Sequence, residues 1–161
     1  MSVASVDVVL SRIVAGMSSP VAAVVPWSHR DLVEAPPVAA LTTLMPHGGP
    51  HTSVVWCDFD DGVVRINTMR GFQKERNMRR DPRVTLLCYD PQRPLRFLEV
   101  CGTVADMTED GAVDHLDVLA SKYMGRRVRY FGDVVAAELA ATEVPVLCRI
   151  VPTSVVAQDW E

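Results

Sequence analysis

One charged segment of the chain reads VRINTMRGFQKERNMRRDPRV and covers residues 64–84. Its first residues alternate between apolar and polar as in a strand, and Gly71 can supply the tight turn that leads out of that strand. A short basic helix follows. Pro82 then removes a backbone donor and disfavours helix at Asp81, after which a strand pattern resumes. The segment therefore predicts a short helix inserted between two strands of a sheet.

The same segment concentrates positive charge in an acidic protein. Six of the sixteen Lys and Arg residues lie in residues 70–83, here called the basic island, although the whole chain has a formal net charge of −4. A nucleic-acid-binding protein is normally basic over a whole face, so the island predicts one anionic ligand and no nucleic acid. Lys74 lies in the first helical turn, where it could bind a phosphate together with backbone amides. The alternative is a solvated charged face, and Glu75 and Arg79 are spaced for an ion pair within the helix.

Short β-rich runs separated by turn residues make up most of the chain after residue 37. The six expected strands are residues 38–45, 51–58, 63–68, 84–89, 95–107 and 144–156. The connections between neighbouring strands are too short for parallel crossovers, and we expect a hairpin at residues 60–62. Gly102 is expected at a bulge or bend, and a helix after Thr108 is expected to end at Gly125. The pattern predicts a mainly β (α+β) fold, a six-stranded antiparallel barrel with peripheral helices.

The first 25 residues are apolar and rich in alanine and valine, but Asp7 and Arg12 interrupt them. This composition argues against a signal peptide, and its apolar runs are too short to span a membrane. We expect a helical extension over residues 1–25, with its helix at about residues 6–17, followed by one barrel domain over residues 26–161. The four cysteines lie in strand-like runs, so we expect reduced, buried thiols, which suits a cytoplasmic protein.

No motif of protein-only catalysis is present in the sequence. It contains no GxSxG nucleophile elbow, no HExxH zinc motif, no Walker lysine loop and no glycine-rich dinucleotide fingerprint. His47 and His51 flank a Gly-Gly-Pro turn, but no carboxylate or cysteine at short spacing completes a ligand set, so we expect no metal site. His115 is expected on an exposed helix face.

Four segments resemble the pyridoxamine 5′-phosphate oxidase-like proteins and, within them, the branch that uses the deazaflavin coenzyme F420. They are SHRDL at residues 28–32, PHTSVVWCD at 50–58, the charged segment at 64–84 and LEVCG at 98–102. The resemblance implies a split β-barrel of the FMN-binding type that forms a homodimer, with two cofactor sites at the subunit interface. It also implies an oxidoreductase that passes a hydride from reduced F420 to a small conjugated or quinone-like acceptor.

The positions that match the family's cofactor-binding residues are Ser53, Val54, Val55, Trp56, Asn67, Thr68, Gln73, Lys74, Arg76, Asn77 and Arg96. The resemblance implies that the first four lie along the cofactor ring, contacted mainly through their backbone, and that the next four hold its phosphate end. Arg76 and Asn77 would either meet the charged tail of F420 or anchor the helix. Arg96 would reach the site from the partner subunit.

The sequence leaves two other functions open. The cofactor could be FMN, giving a flavin oxidase or reductase, although Gln73 stands where members that bind flavin phosphate carry an arginine. The protein could also be a non-catalytic carrier of F420, a flavin or haem. Since such a cofactor carries the redox chemistry, the protein need only orient it, exclude water and donate a proton. Candidate proton donors are Tyr123, Tyr130 and His51, and the sequence does not identify a catalytic residue among them.

Overall fold

The computed structural model describes residues 23–34 and 38–160, and over these residues seven strands form one antiparallel sheet. The strands are β1 (Val38–Leu44), β2 (Pro50–Val55), β3 (Cys57–Asp60), β4 (Val63–Met69), β5 (Arg83–Asp90), β6 (Arg93–Thr108) and β7 (Pro145–Asp159). The helices are α1 (Asp31–Glu34), α2 (Gln73–Arg80) and α3 (Ala112–Met124), with short turns at Trp27–His29, Tyr130–Val134 and Ala137–Ala141. The helix expected at residues 6–17 lies outside the described residues.

The sheet closes on itself because two strands that are consecutive in the chain lie at its opposite edges. The strand order is β2, β1, β5, β6, β7, β4, β3, and every neighbouring pair is antiparallel. Only Trp56 separates β2 from β3, so both edges of the sheet must meet at this residue. The sheet therefore curls into a half-barrel. The expected mainly β fold, an antiparallel split barrel with peripheral helices, is confirmed.

The expected number of six strands is wrong, because the strand expected at residues 51–58 is two strands. Its first part pairs with β1, whereas its last part pairs with β4. Residues 54–57 form one unbroken apolar run across the break, so the pattern could not show that the backbone changes partner. The expected hairpin is confirmed for β3 and β4. Asp61 and Gly62 both have positive φ, 48° and 80°, as a two-residue type I′ turn requires.

Alternate residues of the strands fill the interior of the barrel. Val64 and Ile66 of β4 are fully buried, and so are Leu86 of β5, Leu98 of β6 and Ile150 of β7. Side chains on one face of a strand recur every second residue, so these positions form one continuous apolar core. The core fixes the register of the sheet, because a shift of one residue would turn these side chains to the opposite face.

Gly102 lies at an irregularity of β6, as expected. The pairing register between β6 and β7 shifts between Cys101 and Gly102. A Cβ atom at this glycine would lie 2.6 Å from Cγ2 of Ile150 and 2.9 Å from the backbone oxygen of Val151. Glycine is therefore required here by the close approach of the neighbouring strand.

The helices lie where the local sequence signals predict them. Gly71 has a φ of 83° and turns the chain out of β4 into α2, which ends before Pro82. Helix α3 ends at Gly125, whose φ is 65°, and packs on β4 and β7. None of the described helices is long and apolar enough to cross a membrane. All four cysteines are free thiols, and only Cys101 is partly exposed.

Candidate functional site

A cavity of about 280 Å³ lies between the end of β2, the end of β4 and helix α3. Six of the residues predicted to bind a cofactor line it: Val54, Val55, Trp56, Asn67, Thr68 and Lys74. Leu116 and Leu119 of α3, together with Tyr130 and Glu143, form other parts of its wall. The two leucines and Glu143 could not be predicted as part of the site, because no local pattern indicates which strand ends a distant helix will cover.

The β2 side of the cavity consists of an edge strand. Since β2 has a single neighbour, β1, in the described sheet, it leaves backbone groups without a strand partner. Val54, which is 70% exposed, projects from this edge, and the Ser53 hydroxyl is buried without a hydrogen-bond partner among the described residues. An edge of this kind can contact a planar ring through its backbone, as the family resemblance implies.

Aromatic rings form the corner where β2 passes into β3. The ring of Trp56 stacks on Tyr123 at a centroid distance of 5.0 Å, and Tyr130 meets Trp56 edge-on at 6.0 Å. The Tyr123 hydroxyl accepts a hydrogen bond from the Cys57 backbone N–H at 3.2 Å. Tyr123 therefore holds both the Trp56 ring and the adjacent backbone in place. Of the three candidate proton donors, Tyr130 lines the cavity, whereas His51 lies near the other end of β2.

The Tyr130 phenol is protonated at neutral pH. Burial, reinforced by the neighbouring Glu143 carboxylate, raises the pKa of this phenol above its usual value. A phenol of this kind can donate a hydrogen bond or a proton to a group in the cavity. The structure therefore provides a phenolic hydrogen-bond and proton donor, Tyr130, on the wall of the site.

Two side-chain oxygens at the end of β4 lack hydrogen bonds. Asn67 Oδ1 and Thr68 Oγ1 are buried and have no partner among the described residues. A buried polar atom left without a partner costs on the order of 1–3 kcal/mol, so such atoms require an explanation. Both residues line the cavity. A ligand that supplied the missing hydrogen bonds would be stabilised there, so these residues fit a bound cofactor.

His115 is not on an exposed face, and the expectation that it would be is wrong. It is 7% exposed, and its Nε2 lies 3.3 Å from Oδ1 of Asp58. Arg65 binds the same carboxylate at 2.7 Å and also pairs with Asp60 at 2.8 Å. Helix α3 covers β4, and the partner of His115 comes from a strand 57 residues earlier in the chain. No helical periodicity could indicate that contact.

Two hydrogen-bond donors beside Asp58 keep it ionised. Burial disfavours the charged carboxylate, but hydrogen bonds from His115 and Arg65 outweigh burial and hold the pKa of Asp58 well below its usual range. Next to this pair, Asn67 Nδ2 donates to the backbone oxygen of Ala112 at 2.7 Å and lies 3.4 Å from His115 Nδ1. A buried polar network thus connects Asp58 to the cavity wall.

The arginines of the basic island are all bonded within the chain. Their partners are Glu109 for Arg70, the Gly71 backbone oxygen and Gln73 for Arg76, Glu75 for Arg79, the Leu44 backbone oxygen for Arg80, and Asp81 for Arg83. The predicted helix pair of Glu75 and Arg79 is confirmed. The five arginines of the basic island therefore stabilise the fold and are not available to a ligand.

Lys74 is different from these arginines. It lines the cavity, and no hydrogen bond or ion pair joins it to another described residue. Its ammonium lies 5.6 Å from the centroid of the Phe72 ring, and burial lowers the pKa of Lys74 below its usual value. Because the arginines of the basic island are bonded within the chain, Lys74 is the cationic side chain of the island that is left to attract an anion.

The remaining predicted residues lie outside the cavity wall. Asn77 is 1% exposed and donates to the Thr43 hydroxyl at 3.0 Å, which fits the alternative in which it anchors the helix. Gln73 donates to Asn77 at 2.9 Å and accepts from Arg76 at 2.7 Å. Arg96 binds Asp31 through two nitrogens, and its contribution to a partner's site stays a prediction.

Comparison with known proteins identifies one family. The sequence pattern of the family described as pyridoxamine 5′-phosphate oxidase matches residues 27–148 of this chain. None of the curated proteins compared with it matches the sequence.

Among solved structures, a protein described as "F420 Reductase" is 29% identical to this chain, with a TM-score of 0.70; the match covers 83% of this chain and 100% of that protein. A conserved hypothetical protein from Mycobacterium tuberculosis is 23% identical, with a TM-score of 0.66, and the match covers 88% of each chain. The second similarity shows the fold alone. Together with the family match, the first supports an oxidoreductase function.

Proposed function

Because the chain belongs to the pyridoxamine 5′-phosphate oxidase family, we propose that it is an oxidoreductase that uses reduced coenzyme F420 to transfer a hydride to a small conjugated or quinone-like acceptor. The observation that carries the proposal is the position of Lys74. This residue is the cation of the basic island without a polar partner among the described residues, and it lines a cavity whose wall contains unsatisfied oxygens. The similarity to the F420 reductase supports the choice of coenzyme.

Each part of the cavity has a role in this proposal. Lys74 binds the phosphate of the coenzyme, and the β2 edge at Val54 and Val55 contacts its ring. When bound, the deazaflavin supplies the hydride chemistry, so the protein requires no catalytic triad. Leu116 and Leu119 exclude water from the ring, and the Tyr130 phenol donates a proton to the reduced acceptor.

A second subunit would complete this site, and we propose that the protein works as a homodimer. The cavity formed by one chain, about 280 Å³, lies at the lower end of the range of about 300–1,000 Å³ for small-molecule sites. Val54 and Phe72, which both line it, are 70% and 47% exposed, so a further apolar surface could cover them together. Light scattering coupled to size-exclusion chromatography tests this proposal, and a monomer at micromolar concentration would contradict it.

FMN is the second candidate cofactor, since the family match supports a flavin-type ligand as well as a deazaflavin. The two are distinguished by titrating the purified protein into each fluorescent cofactor and following the quenching of its emission. We expect saturable quenching of F420 in the micromolar range or tighter, and weaker binding of FMN. If the protein binds FMN in the micromolar range and does not bind F420, FMN is the cofactor and the F420 proposal is wrong.

Activity is tested separately from binding. Reduced F420 is mixed with the protein and a panel of quinones and conjugated enones, and its reoxidation is followed by absorbance. Transfer to at least one acceptor is expected. Tight binding of F420 without transfer to any acceptor would instead indicate a carrier protein.

A further inference from the structure

The side-chain amide of Asn67 is held in one orientation by helix α3. Its Nδ2 lies 2.7 Å from the backbone oxygen of Ala112, and a carbonyl oxygen can only accept a hydrogen bond. The nitrogen of the amide must therefore face Ala112. Asn67 Oδ1, at the other end of the amide, is buried without a partner among the described residues, in a side chain that lines the cavity.

Asp58 and His115 support the same orientation. The Asp58 carboxylate, 3.3 Å from His115 Nε2, can only accept, so this ring nitrogen carries the proton. In the neutral imidazole, Nδ1 is then an acceptor, and it lies 3.4 Å from Asn67 Nδ2. Arg65 holds the carboxylate through two hydrogen bonds, of 2.8 and 2.7 Å, and Asp60 binds the far side of that arginine.

We infer that Asp58 and His115 are positioning residues that make Asn67 a fixed hydrogen-bond acceptor in the cavity wall, so that Asn67 takes a hydroxyl or N–H group of the ligand and not a phosphate oxygen. An ionised phosphate offers only acceptors, which would repel Asn67 Oδ1. The inference rests on the proposed function for the class of cofactor. It assigns the phosphate to Lys74 and the uncharged part of the cofactor to Asn67, in contrast to the phosphate-binding role that the family resemblance implies for Asn67.

Two ligands that differ only at the phosphate end test the assignment. They are F420 and the deazaflavin alcohol that lacks the phosphate and everything beyond it. Asn67→Leu should weaken binding of both ligands by the same factor, about tenfold for one lost hydrogen bond, whereas Lys74→Ala should weaken binding of F420 alone. If Asn67→Leu weakens F420 and leaves the alcohol unchanged, Asn67 contacts the phosphate and the inference is wrong.

The proton on His115 is measured without any ligand. The ¹⁵N shifts of the imidazole, assigned by their loss in His115→Asn, should show the neutral form protonated at Nε2 in the wild type and in the control Asp60→Asn. In Asp58→Asn the proton should move to Nδ1. A wild-type ring protonated at Nδ1 overturns the inference even if F420 binds. If no cofactor binds, the proposed function is wrong, but the position of the proton on His115 can still be measured.

A second test uses two variants of His115 and therefore does not require that Asp58→Asn folds. His115→Asn keeps an oxygen that can accept from the amide of Asn67, whereas His115→Phe fills the space without an acceptor. The deazaflavin alcohol should bind to His115→Asn within about threefold of the wild type and to His115→Phe about tenfold more weakly. Equal affinities for the two variants would show that His115 acts through packing alone.

Discussion

The indole ring of Trp56 stacks on the phenol ring of Tyr123, with ring centroids 5.0 Å apart and an angle of 19° between the planes. Trp56 is the single residue between β2 and β3, at which the chain passes from one edge of the sheet to the other. It also lines the cavity. The contact that supports barrel closure therefore also shapes the candidate site.

Variants of Tyr123 should separate the stacking of its ring from the hydrogen bond of its hydroxyl. Tyr123→Phe keeps the ring and loses the acceptor of the Cys57 N–H, which should lower the free energy of unfolding by about 1 kcal/mol. Tyr123→Ala also loses the ring and should cost roughly 3 kcal/mol. Urea unfolding measures both. Equal losses in the two variants would mean that the ring stacking contributes nothing.

Tyr130 should affect turnover more than binding. Tyr130→Phe removes the phenolic hydroxyl from the wall but keeps the aromatic contact with Trp56, so reoxidation of reduced F420 by a quinone should slow by about 100-fold. The dissociation constant of F420 should change less than threefold. Tyr89→Phe is the control, since Tyr89 lies on β5. Unchanged turnover in Tyr130→Phe would exclude this tyrosine as the proton donor.

Asp58 should stabilise the protein in a pH-dependent manner. Its pKa is depressed in the folded state, so its contribution is present above the usual value of 3.8 and is lost as the pH falls below that value. At pH 7, Asp58→Asn should lower the free energy of unfolding by on the order of 3 kcal/mol, because it leaves a buried ion pair incomplete.

The control for this experiment is Asp60→Asn, which removes the exposed partner of the same arginine, Arg65. It should cost less than about 1 kcal/mol. Chemical unfolding at several pH values between 7 and 3 should show the gap between wild type and Asp58→Asn narrowing below about pH 4. A gap that stays constant down to pH 3 would contradict the ion-pair account.

Gly102→Ala should destabilise the barrel. The new methyl group would lie 2.6 Å from the Ile150 side chain and 2.9 Å from the backbone of Val151, so the two strands would have to separate. The expected loss is about 1–3 kcal/mol, measured by urea unfolding. Thr103→Ala, at the next position of the same strand, is the control and should cost about 0.5 kcal/mol. Equal losses would argue against close strand contact at Gly102.

The parts of the fold that the sequence predicts correctly depend on local signals. The turn at Gly71 and the stop at Pro82 placed helix α2, and the turn at Asp61 and Gly62 gave the hairpin of β3 and β4. The division of the strand at Trp56 depends instead on which distant strands pair with its two halves. Alternation of side chains contains no information on the pairing partner, so the seventh strand could not be predicted.

The candidate site was predictable to a similar extent. The position of Lys74 at a helix start after a strand indicated an anion-binding group, and the structure places it in a cavity. The pair of Glu75 and Arg79 within the helix was predictable from its spacing, whereas the partners of Arg70 and Arg80 were not, since Glu109 and Leu44 come from other segments. The burial of His115 against Asp58 likewise depends on how α3 crosses the sheet.

The central claim, that Lys74 binds the phosphate of a deazaflavin in this cavity, is tested most directly by titrating F420 into Lys74→Ala. The variant should lose about 1.5–3 kcal/mol of binding free energy, a rise in the dissociation constant of about 10- to 150-fold, because a charged hydrogen bond is lost. Its unfolding should be nearly unchanged. Arg83→Ala, which removes an exposed arginine paired with Asp81, should bind as the wild type does. Equal affinity of Lys74→Ala and wild type would contradict the account.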